Sequence, residues 1–268
     1  YSPAPPKVSK AISFSVEANT KVGRGGRTGA GKSSLITAFY RFVEAESGTI
    51  DIDGVDIAKI PLKSLRRSIN SIPQNPTLFD GTIRSNLDPN DEFDDREIFR
   101  SMLKVNLIDQ REFDMAINRE SRSFSDYSTP KNFNVFNNLG NQVGENGSNF
   151  SQGQRQLLCL ARSLLRARKI LLIDEATASI DYDCDAKIQK TIRENLCDTT
   201  VLTIAHRLAS VIDYDKIMLM DDGEIKEYNE PYLLLVDENS MFHQFCKKSG
   251  EWDSLFRLAK ESYEARNS

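Results

Sequence analysis

The period at which apolar and polar residues alternate changes several times along the chain, and each period predicts one kind of element. Residues 11–16 alternate as a half-buried strand does, whereas 170–173 and 200–204 are the short, continuously apolar runs of buried strands. Residues 151–165 and 186–195 repeat apolar residues at the spacing of one helix face. Strands therefore alternate with helices around a helix-rich middle. This order predicts an α/β fold with a mostly parallel sheet and an inserted helical subdomain.

Turn residues add two hairpins to this pattern. Asp53-Gly54 and Asp222-Gly223 each stand between short apolar segments, which is a strong signal for a tight two-residue turn. Residues 111–149 are polar, rich in Asn and Ser and without a clear period, so we expect them to form loops. The other predicted elements are a helix at 62–67, a strand at 68–72, a loop at 73–76, a helix at 94–105 and helices beyond residue 232.

A glycine-rich stretch early in the chain fits the phosphate-binding pattern G-x-x-x-x-G-K-[ST]. Its glycines let successive backbone N–H groups point at an anion, Lys32 supplies a mobile positive charge, and the Ser33 hydroxyl can reach a Mg²⁺ ion between the outer phosphates. A chance glycine-rich turn is the alternative, but an apolar-patterned helix follows directly, as a phosphate site requires. The stretch comprises Gly26, Arg27, Thr28, Gly29, Ala30, Gly31, Lys32 and Ser33.

The composition indicates the class of protein but identifies no functional site. Hydrophobic residues make up 39% of the 268 residues and charged residues 28%, as in ordinary soluble domains. With 35 basic and 39 acidic residues the formal net charge is −4, which gives no overall attraction to nucleic acid. No apolar run approaches a membrane span, no signal peptide is evident, and the cysteines lack C-x-x-C spacing. The chain starts at Tyr1 instead of Met, so we expect it to be a piece of a longer polypeptide.

The strand that leads into the phosphate loop carries an anomaly. Such a strand normally lies in the middle of a parallel sheet and is continuously apolar, yet residues 21–26 read Lys-Val-Gly-Arg-Gly-Gly. A buried and unpaired Arg24 would be strongly destabilising, and Gly25 weakens strand structure. We therefore expect a weakened central strand, which puts the nucleotide affinity in question.

Four further motifs follow the phosphate loop in an informative order. Two of them end or follow predicted buried strands, one lies on a loop after a strand, and one opens a helix. They are Gln74 on the loop, residues 149–154 at the helix start, Asp174-Glu175 at the end of a strand and His206 after the next strand.

This ordered set resembles the ATP-binding cassette. Residues 71–89 and 202–215 are similar to the second nucleotide-binding domain of subfamily C exporters, the multidrug-resistance-associated type, and most of all to fungal exporters of the oligomycin-resistance kind. The resemblance covers nearly the whole chain and is weak only at 111–145. The chain departs from the family pattern before the phosphate loop, where Gly-Ile-Val-Gly is usual and Gly23-Arg24-Gly25-Gly26 stands here.

The resemblance implies a P-loop NTPase core of the RecA-like kind, with a mostly parallel sheet, an antiparallel β subdomain and an inserted α-helical subdomain. It implies that residues 1–268 form a single cassette. The implied parts are an ATP-binding core at 1–75 and 166–235, a helical subdomain with the signature motif at 76–165, and a C-terminal helical tail at 236–268.

The chemistry of each position supports roles in ATP hydrolysis. A carboxylate that ends a strand beside the phosphate loop, such as Asp174, can hold Mg²⁺, although helix capping is the alternative. Glu175 can orient and deprotonate the attacking water, with a surface acid as the alternative. His206 can hydrogen-bond the γ-phosphate, with a structural histidine as the alternative. By the resemblance, Gln74 reaches the metal and the water, with an ordinary surface glutamine as the alternative. The implied catalytic residues are Glu175, His206, Gln74 and Lys32, and the implied metal ligands are Ser33, Gln74 and Asp174.

The resemblance also implies contacts made across a dimer. Ser151, Gly153 and Gln154 would cap the γ-phosphate of ATP bound to a second cassette arranged head to tail, and a helix N-terminus suits an anion. An ordinary N-capped helix is the alternative. Asp181 would lie on the loop that crosses the dimer, and Tyr1 would stack on adenine unless the terminus is frayed. The implied ATP contacts are Tyr1, Gly26, Arg27, Thr28, Gly29, Ala30, Gly31, Lys32, Ser33, Ser34, Ser151, Gly153 and Gln154.

Three functions remain open from the sequence. The first is an ATPase domain that drives a subfamily C exporter, with ATP and Mg²⁺ as cofactors, at the cytoplasmic face of a plasma or vacuolar membrane. Its partners would be a second nucleotide-binding domain and transmembrane domains on the same or a separate chain. The second is a regulatory or relic cassette that binds ATP and hydrolyses it weakly or not at all, as Arg24 and Gly25 suggest. The third, a cassette acting on ribosomes or DNA, is disfavoured by the net acidity, and we expect no nucleic-acid partner.

Overall fold

The computed structural model describes residues 12–26, 32–119, 134–174, 182–205 and 207–267, without the side chains of 32–34, 119 and 182–183. These residues divide into two compact units, each described here by itself. The core unit is formed by the described residues within 1–71, 169–175 and 198–268. The helical unit is formed by those within 72–168 and 176–197.

The described residues form strands and helices in mixed order. The strands are β1 (Lys21–Gly26), β2 (Asp51–Ile52), β3 (Val55–Asp56), β4 (Ile69–Ile72), β5 (Gly81–Thr82), β6 (Gln142–Val143), β7 (Ile170–Asp174), β8 (Thr200–Ile204), β9 (Lys216–Asp221) and β10 (Glu224–Asn229). The helices are α1 (Lys32–Phe39), α2 (Leu62–Ser68), α3 (Ile83–Leu87), α4 (Asp95–Lys104), α5 (Gln110–Arg119), α6 (Gln152–Leu165), α7 (Tyr182–Asn195), α8 (Pro231–Val236), α9 (Met241–Lys248) and α10 (Trp252–Asn267).

The core unit is organised by a sheet in the order β10-β9-β1-β8-β7-β4. The strand β1 runs parallel to both β8 and β9, β7 runs parallel to β8, and β10 is antiparallel to β9. Val22 of β1 packs in one buried cluster with Leu35 of α1 and Leu172 of β7. The mostly parallel α/β sheet predicted from the sequence is therefore confirmed, with β1 in its interior.

Both predicted hairpins form. Strands β2 and β3 pair across Asp53-Gly54, and β9 and β10 pair across Asp222-Gly223. The φ angles are 51° and 77° in the first turn and 48° and 77° in the second, and these are the positive values that a type I′ turn requires at both positions. Asp and Gly tolerate this conformation, which explains why the sequence signal was strong.

Glycine lets β1 pass between its crowded neighbours. A Cβ added to Gly23 would lie 2.6 Å from Val211 Cβ and 2.8 Å from Ile217 Cδ1. Gly26 has φ 145°, and a Cβ there would overlap the carbonyl oxygen of Met220. At Gly25 a Cβ would meet only Leu219 Cδ1, at 3.5 Å, which is an ordinary contact. Gly23 and Gly26 are thus required by packing, whereas Gly25 is not.

A second buried cluster of the core unit holds the last three helices. Phe242 and Cys246 of α9 and Leu255 of α10 pack with Ile212 and Tyr214, which lie between β8 and β9. Glu227 of β10 accepts hydrogen bonds from Met241 N at 2.6 Å and Phe242 N at 3.0 Å. A strand carboxylate therefore satisfies the free N–H groups at the start of α9 and fixes that helix to the sheet.

Two sequence predictions are wrong. Of the predicted strand at 11–16, residues 12–16 join no sheet ladder, although Ile12, Phe14 and Val16 still pack in alternation against the core. The predicted loop at 111–149 begins instead with α5 and later contains β6. The signal for α5 was a capping box, in which Asp109 N donates to Glu112 and Glu112 N donates to Asp109, both at 2.8 Å.

Two substitutions in β1 test this packing. Gly23→Ala is expected to lower the free energy of unfolding by about 2 kcal/mol, because the new Cβ overlaps Val211 and Ile217. Gly25→Ala in the same strand is the matched control. It is expected to be neutral or stabilising by up to about 1 kcal/mol, because alanine lowers the conformational entropy of the unfolded chain. Urea denaturation measures both changes. Equal losses at the two positions would contradict the described environment of β1.

Candidate nucleotide site

The structure describes both flanks of the phosphate loop. The strand β1 ends at Gly26, and α1 begins at Lys32, so the stretch has the strand–loop–helix context that the pattern requires. Arg27, Thr28, Gly29, Ala30 and Gly31 lie outside the described residues, and the side chains of Lys32, Ser33 and Ser34 are not described. The strand β1 therefore ends, directly before this stretch, at the carboxyl edge of a parallel sheet, which is where ligands bind in such sheets.

Asp174 lies at the same edge of the sheet. It is the last residue of β7 and is half-buried. Because β1, β7 and β8 are parallel, their carboxyl ends meet at one edge. The strand β8 ends at Ile204, two residues before the predicted His206. Glu175, His206 and Asp181 lie outside the described residues, as does Tyr1.

The strand register places Arg24 and Asp174 level with each other. Arg24 of β1 pairs with Ile204 of β8, and Asp174 of β7 pairs with the same Ile204 from the other side. Neighbours in register point their side chains to the same face of a sheet. The guanidinium and the carboxylate therefore lie on one face, two strands apart.

Arg24 is fully buried, with 0% of its surface exposed. Its Nε donates to Met220 Sδ at 2.8 Å. Burial lowers the pKa of Arg24 to about 10, and the nearby Asp174 carboxylate opposes that shift. The guanidinium is thus a charged group at neutral pH. The expectation that Arg24 is buried is confirmed, but it is not unpaired, because Asp174 attracts it.

The side chain of Asp174 suits a divalent ion in its donor chemistry. Mg²⁺ prefers hard oxygen ligands such as a carboxylate, and Asp174 offers one at the edge where the phosphate loop begins. The adjacent guanidinium acts against this, because a fixed cation on the same face repels a second cation. The Asp174 carboxylate is therefore a ligand of the type that Mg²⁺ prefers, but the positive charge of Arg24 on the same face opposes binding of that ion.

The signature residues lie in the helical unit and start α6. Ser151 Oγ accepts from Gln154 N at 3.2 Å, and Gln154 Oε1 accepts from Ser151 N at 2.9 Å, which completes a capping box. Ser151 is exposed and Gly153 is buried. The local geometry is that of a well-capped 14-residue helix, and its N-terminus is accessible at Ser151. Gln74, also in the helical unit, is exposed on the segment that follows β4.

Sequence reasoning missed the anchor of the segment after Gln74. The buried Asn86 side chain accepts from Phe79 N at 2.8 Å and donates to Phe79 O at 2.8 Å. Arg162 of α6 donates to Asn86 O at 2.7 Å and lies 5.9 Å from the centre of the Phe79 ring. The signature helix and an exposed aromatic residue are thereby held in one network. An Asn in a short polar run gives little signal of such a role in the sequence.

The strand–loop–helix unit and the carboxylate at the end of a parallel strand define a P-loop nucleoside triphosphatase fold. A family model described as ABC transporter matches residues 9–178, which is more than half of the 268 residues. The chain therefore belongs to the ABC transporter family.

Individual relatives agree with this assignment. The chain is 56% identical over 263 residues to the ATP-dependent bile acid permease of Saccharomyces cerevisiae, covering 98% of this chain and 16% of the permease. It is 44% identical over 269 residues to ATP-binding cassette sub-family C member 4 of Homo sapiens, covering 100% of this chain and 19% of that protein. The resemblance to subfamily C exporters is thus confirmed, and the chain spans less than a fifth of the length of these relatives.

A solved structure supports the fold independently. The chain is similar to a bacterial Atm1-family ABC exporter with ATP bound, at a TM-score of 0.75 and 28% identity, over 90% of this chain and 39% of that one. Among the helices of the described residues, none is long and apolar enough to cross a membrane.

A double-mutant cycle tests the attraction between Arg24 and Asp174. Asp174→Asn is expected to lower the free energy of unfolding by about 2 kcal/mol, because it leaves a buried cation without its carboxylate. In the Arg24→Met background the same change should cost less than about 0.5 kcal/mol. Asp80→Asn, at an exposed position, controls for the change in net charge. Additive effects in urea denaturation would show that the two groups do not interact.

Proposed function

We propose that this chain binds ATP at its own phosphate loop and hydrolyses it, in a head-to-tail pair with a second cassette, to drive a subfamily C exporter. The observation that carries the proposal is the register of the sheet, since β1 enters the phosphate loop at the same edge at which β7 presents Asp174. The family match and the 56% identity to a fungal permease support the same function.

In this proposal water attacks the γ-phosphorus in line while the bond from that phosphorus to the β–γ bridging oxygen breaks, and ADP and inorganic phosphate leave. Glu175 accepts the proton of the attacking water, and Lys32 offsets negative charge on the transferring phosphoryl group. His206 and Gln74 hold the water and the γ-phosphate in position. Ser33, Gln74 and Asp174 would hold Mg²⁺, which when bound supplies neutralisation of phosphate charge. The backbone of residues 26–34 cradles the phosphates, and Tyr1 stacks on adenine.

In this proposal the signature residues contact the ATP that is bound to the second cassette. Ser151, Gly153 and Gln154 approach the γ-phosphate of ATP bound to the second cassette. The exposure of Ser151 at the N-terminus of α6 supports this, because the start of a helix favours an anion. Asp181 lies on the loop that crosses to the partner.

The transport machinery would lie outside this chain. The relatives are several times longer than the matched region, which supports transmembrane domains on the same or a separate polypeptide. The cassette would then work at the cytoplasmic face of a plasma or vacuolar membrane. Nucleic acid is not among its proposed partners.

ATP turnover by the purified chain tests the enzymatic role. We expect slow, Mg²⁺-dependent release of phosphate, and Glu175→Gln should reduce its rate about a hundredfold or more, because the general base is lost. Glu238→Gln, which neutralises an exposed glutamate in the core unit, is the matched control and should leave the rate unchanged. Turnover that survives Glu175→Gln would contradict the assigned base.

The buried cation favours a second candidate, an ATP-binding cassette with weak or no hydrolysis that acts as a regulator or a relic. Arg24 places a fixed positive charge on the face that Asp174 shares, and this charge acts against a hydrolytic metal. Tight ATP binding without any turnover for Glu175→Gln to change would support this second candidate over the first.

A further inference from the structure

The first residue of β1 is held by a side chain from the segment that precedes β9. Lys21 N donates to Asp215 Oδ2 at 2.6 Å, and Asp215 N donates to Lys21 O at 3.0 Å. The regular ladder between the two strands begins one residue later, where Val22 pairs with Lys216. A carboxylate therefore takes the place of a backbone acceptor at the start of this central strand.

The other oxygen of this carboxylate lies near the end of the last helix. Arg266 Nη1 is 3.6 Å from Asp215 Oδ1 and donates to Asp213 O at 3.1 Å. Ser262, about one turn earlier in α10, donates to Asp213 O at 2.9 Å and accepts from Arg266 Nη1 at 2.9 Å. Arg266 Nη2 also lies 3.9 Å from Glu230 Oε2. One guanidinium thus joins α10 both to the segment that holds β1 and to the residue before α8.

These polar contacts matter because the apolar packing of α10 ends earlier along the helix. Its buried residues are Leu255 and Ala259, which belong to the second cluster of the core unit. Beyond Ala259, Tyr263 is half-buried, with its ring centre 5.0 Å from that of Tyr232. The last two turns of α10 therefore have few buried contacts and can open locally while Leu255 and Ala259 stay packed.

We propose that the last two turns of α10 are a latch on the start of β1, in which Arg266 holds Asp215 and Asp215 holds Lys21. All three residues lie in the core unit. The side chains of Arg266 and Asp215 are 28% and 31% exposed, so water screens their attraction only in part. Opening of the latch loosens the starts of β1 and β9 and leaves the buried part of the sheet intact. Arg266 is a positioning residue, since it acts through Asp215, and the latch does not depend on the proposed function.

Amide hydrogen exchange of the full chain, followed by mass spectrometry of peptic fragments, tests the latch. The readout is the exchange rate in fragments that contain residues 17–22 and 211–216, compared with a fragment that contains 170–174 of β7. Arg266→Met should raise the rate about fivefold in the first two fragments and leave the β7 fragment unchanged, because only the starts of β1 and β9 lose a contact. In the Asp215→Asn background the same change should alter these rates by less than about 1.5-fold.

Arg257→Met is the matched control, because Arg257 is an exposed arginine of the same helix, and it should leave all three rates unchanged. In the unaltered chain, about 0.5 M NaCl in place of about 0.05 M screens the ion pair and should speed exchange in the same two fragments. The latch is overturned if Arg266→Met changes no rate, raises the β7 rate equally, or acts with full effect in the Asp215→Asn background. If Arg266→Met does not fold, the salt comparison decides, and unchanged exchange in the two fragments overturns the proposal.

Discussion

Arg24 and Asp174 carry opposite charges at one level of a parallel sheet, and both are fixed there by pairing with Ile204. The rest of the nucleotide site depends on this register. It brings the end of β1, from which the phosphate loop starts, to the same edge as the end of β7. A shift of one residue in β1 would turn Arg24 to the opposite face and separate it from Asp174. The same shift would move Gly23 away from the crowded position between Val211 and Ile217 that only a glycine fits.

The surroundings of Arg24 explain how the chain tolerates a buried charge in its central strand. A buried guanidinium without a partner would be strongly destabilising, but attraction to Asp174 and the hydrogen bond to Met220 offset part of that cost. The two glycines that flank Arg24 play different parts. Position 23 requires glycine because its neighbours leave no space for a Cβ atom. Position 25 does not require glycine, since the sheet has space for a Cβ atom there. Gly25 is therefore expected to weaken β1 because it packs no side chain and loses more backbone entropy on folding than other residues, and not because of a steric clash.

Sequence patterns predicted the parts of the fold that short-range physics determines. The buried strands β7 and β8, the two hairpins and the capped helix α6 all follow from apolar period, turn residues and N-capping residues. Helix α5 was missed because its polar composition hid a capping box at Asp109 and Glu112. The strand predicted at 11–16 kept its alternation but found no partner strand, and pairing is a tertiary property that alternation does not specify.

The sequence suggested candidate residues for the site, but it did not indicate how the described ones interact. The sequence marked Arg24 as anomalous and Asp174 as a metal ligand, yet they are 150 positions apart, and no local pattern relates them. Only the strand order and register make them neighbours across Ile204. The Asn86–Arg162 network was missed for the same reason, since its two side chains meet only when α3 and α6 pack. Long-range pairing is where a single sequence carries least information.

The account rests on a guanidinium held beside a carboxylate inside the sheet. A crystal structure of the nucleotide-free chain that resolves side chains measures this most directly. The account predicts Arg24 buried on the face of Asp174, with its guanidinium in ion-pair or water-bridged contact with that carboxylate and Nε directed at Met220 Sδ. A guanidinium turned to solvent, or directed to the face opposite Asp174, would contradict it.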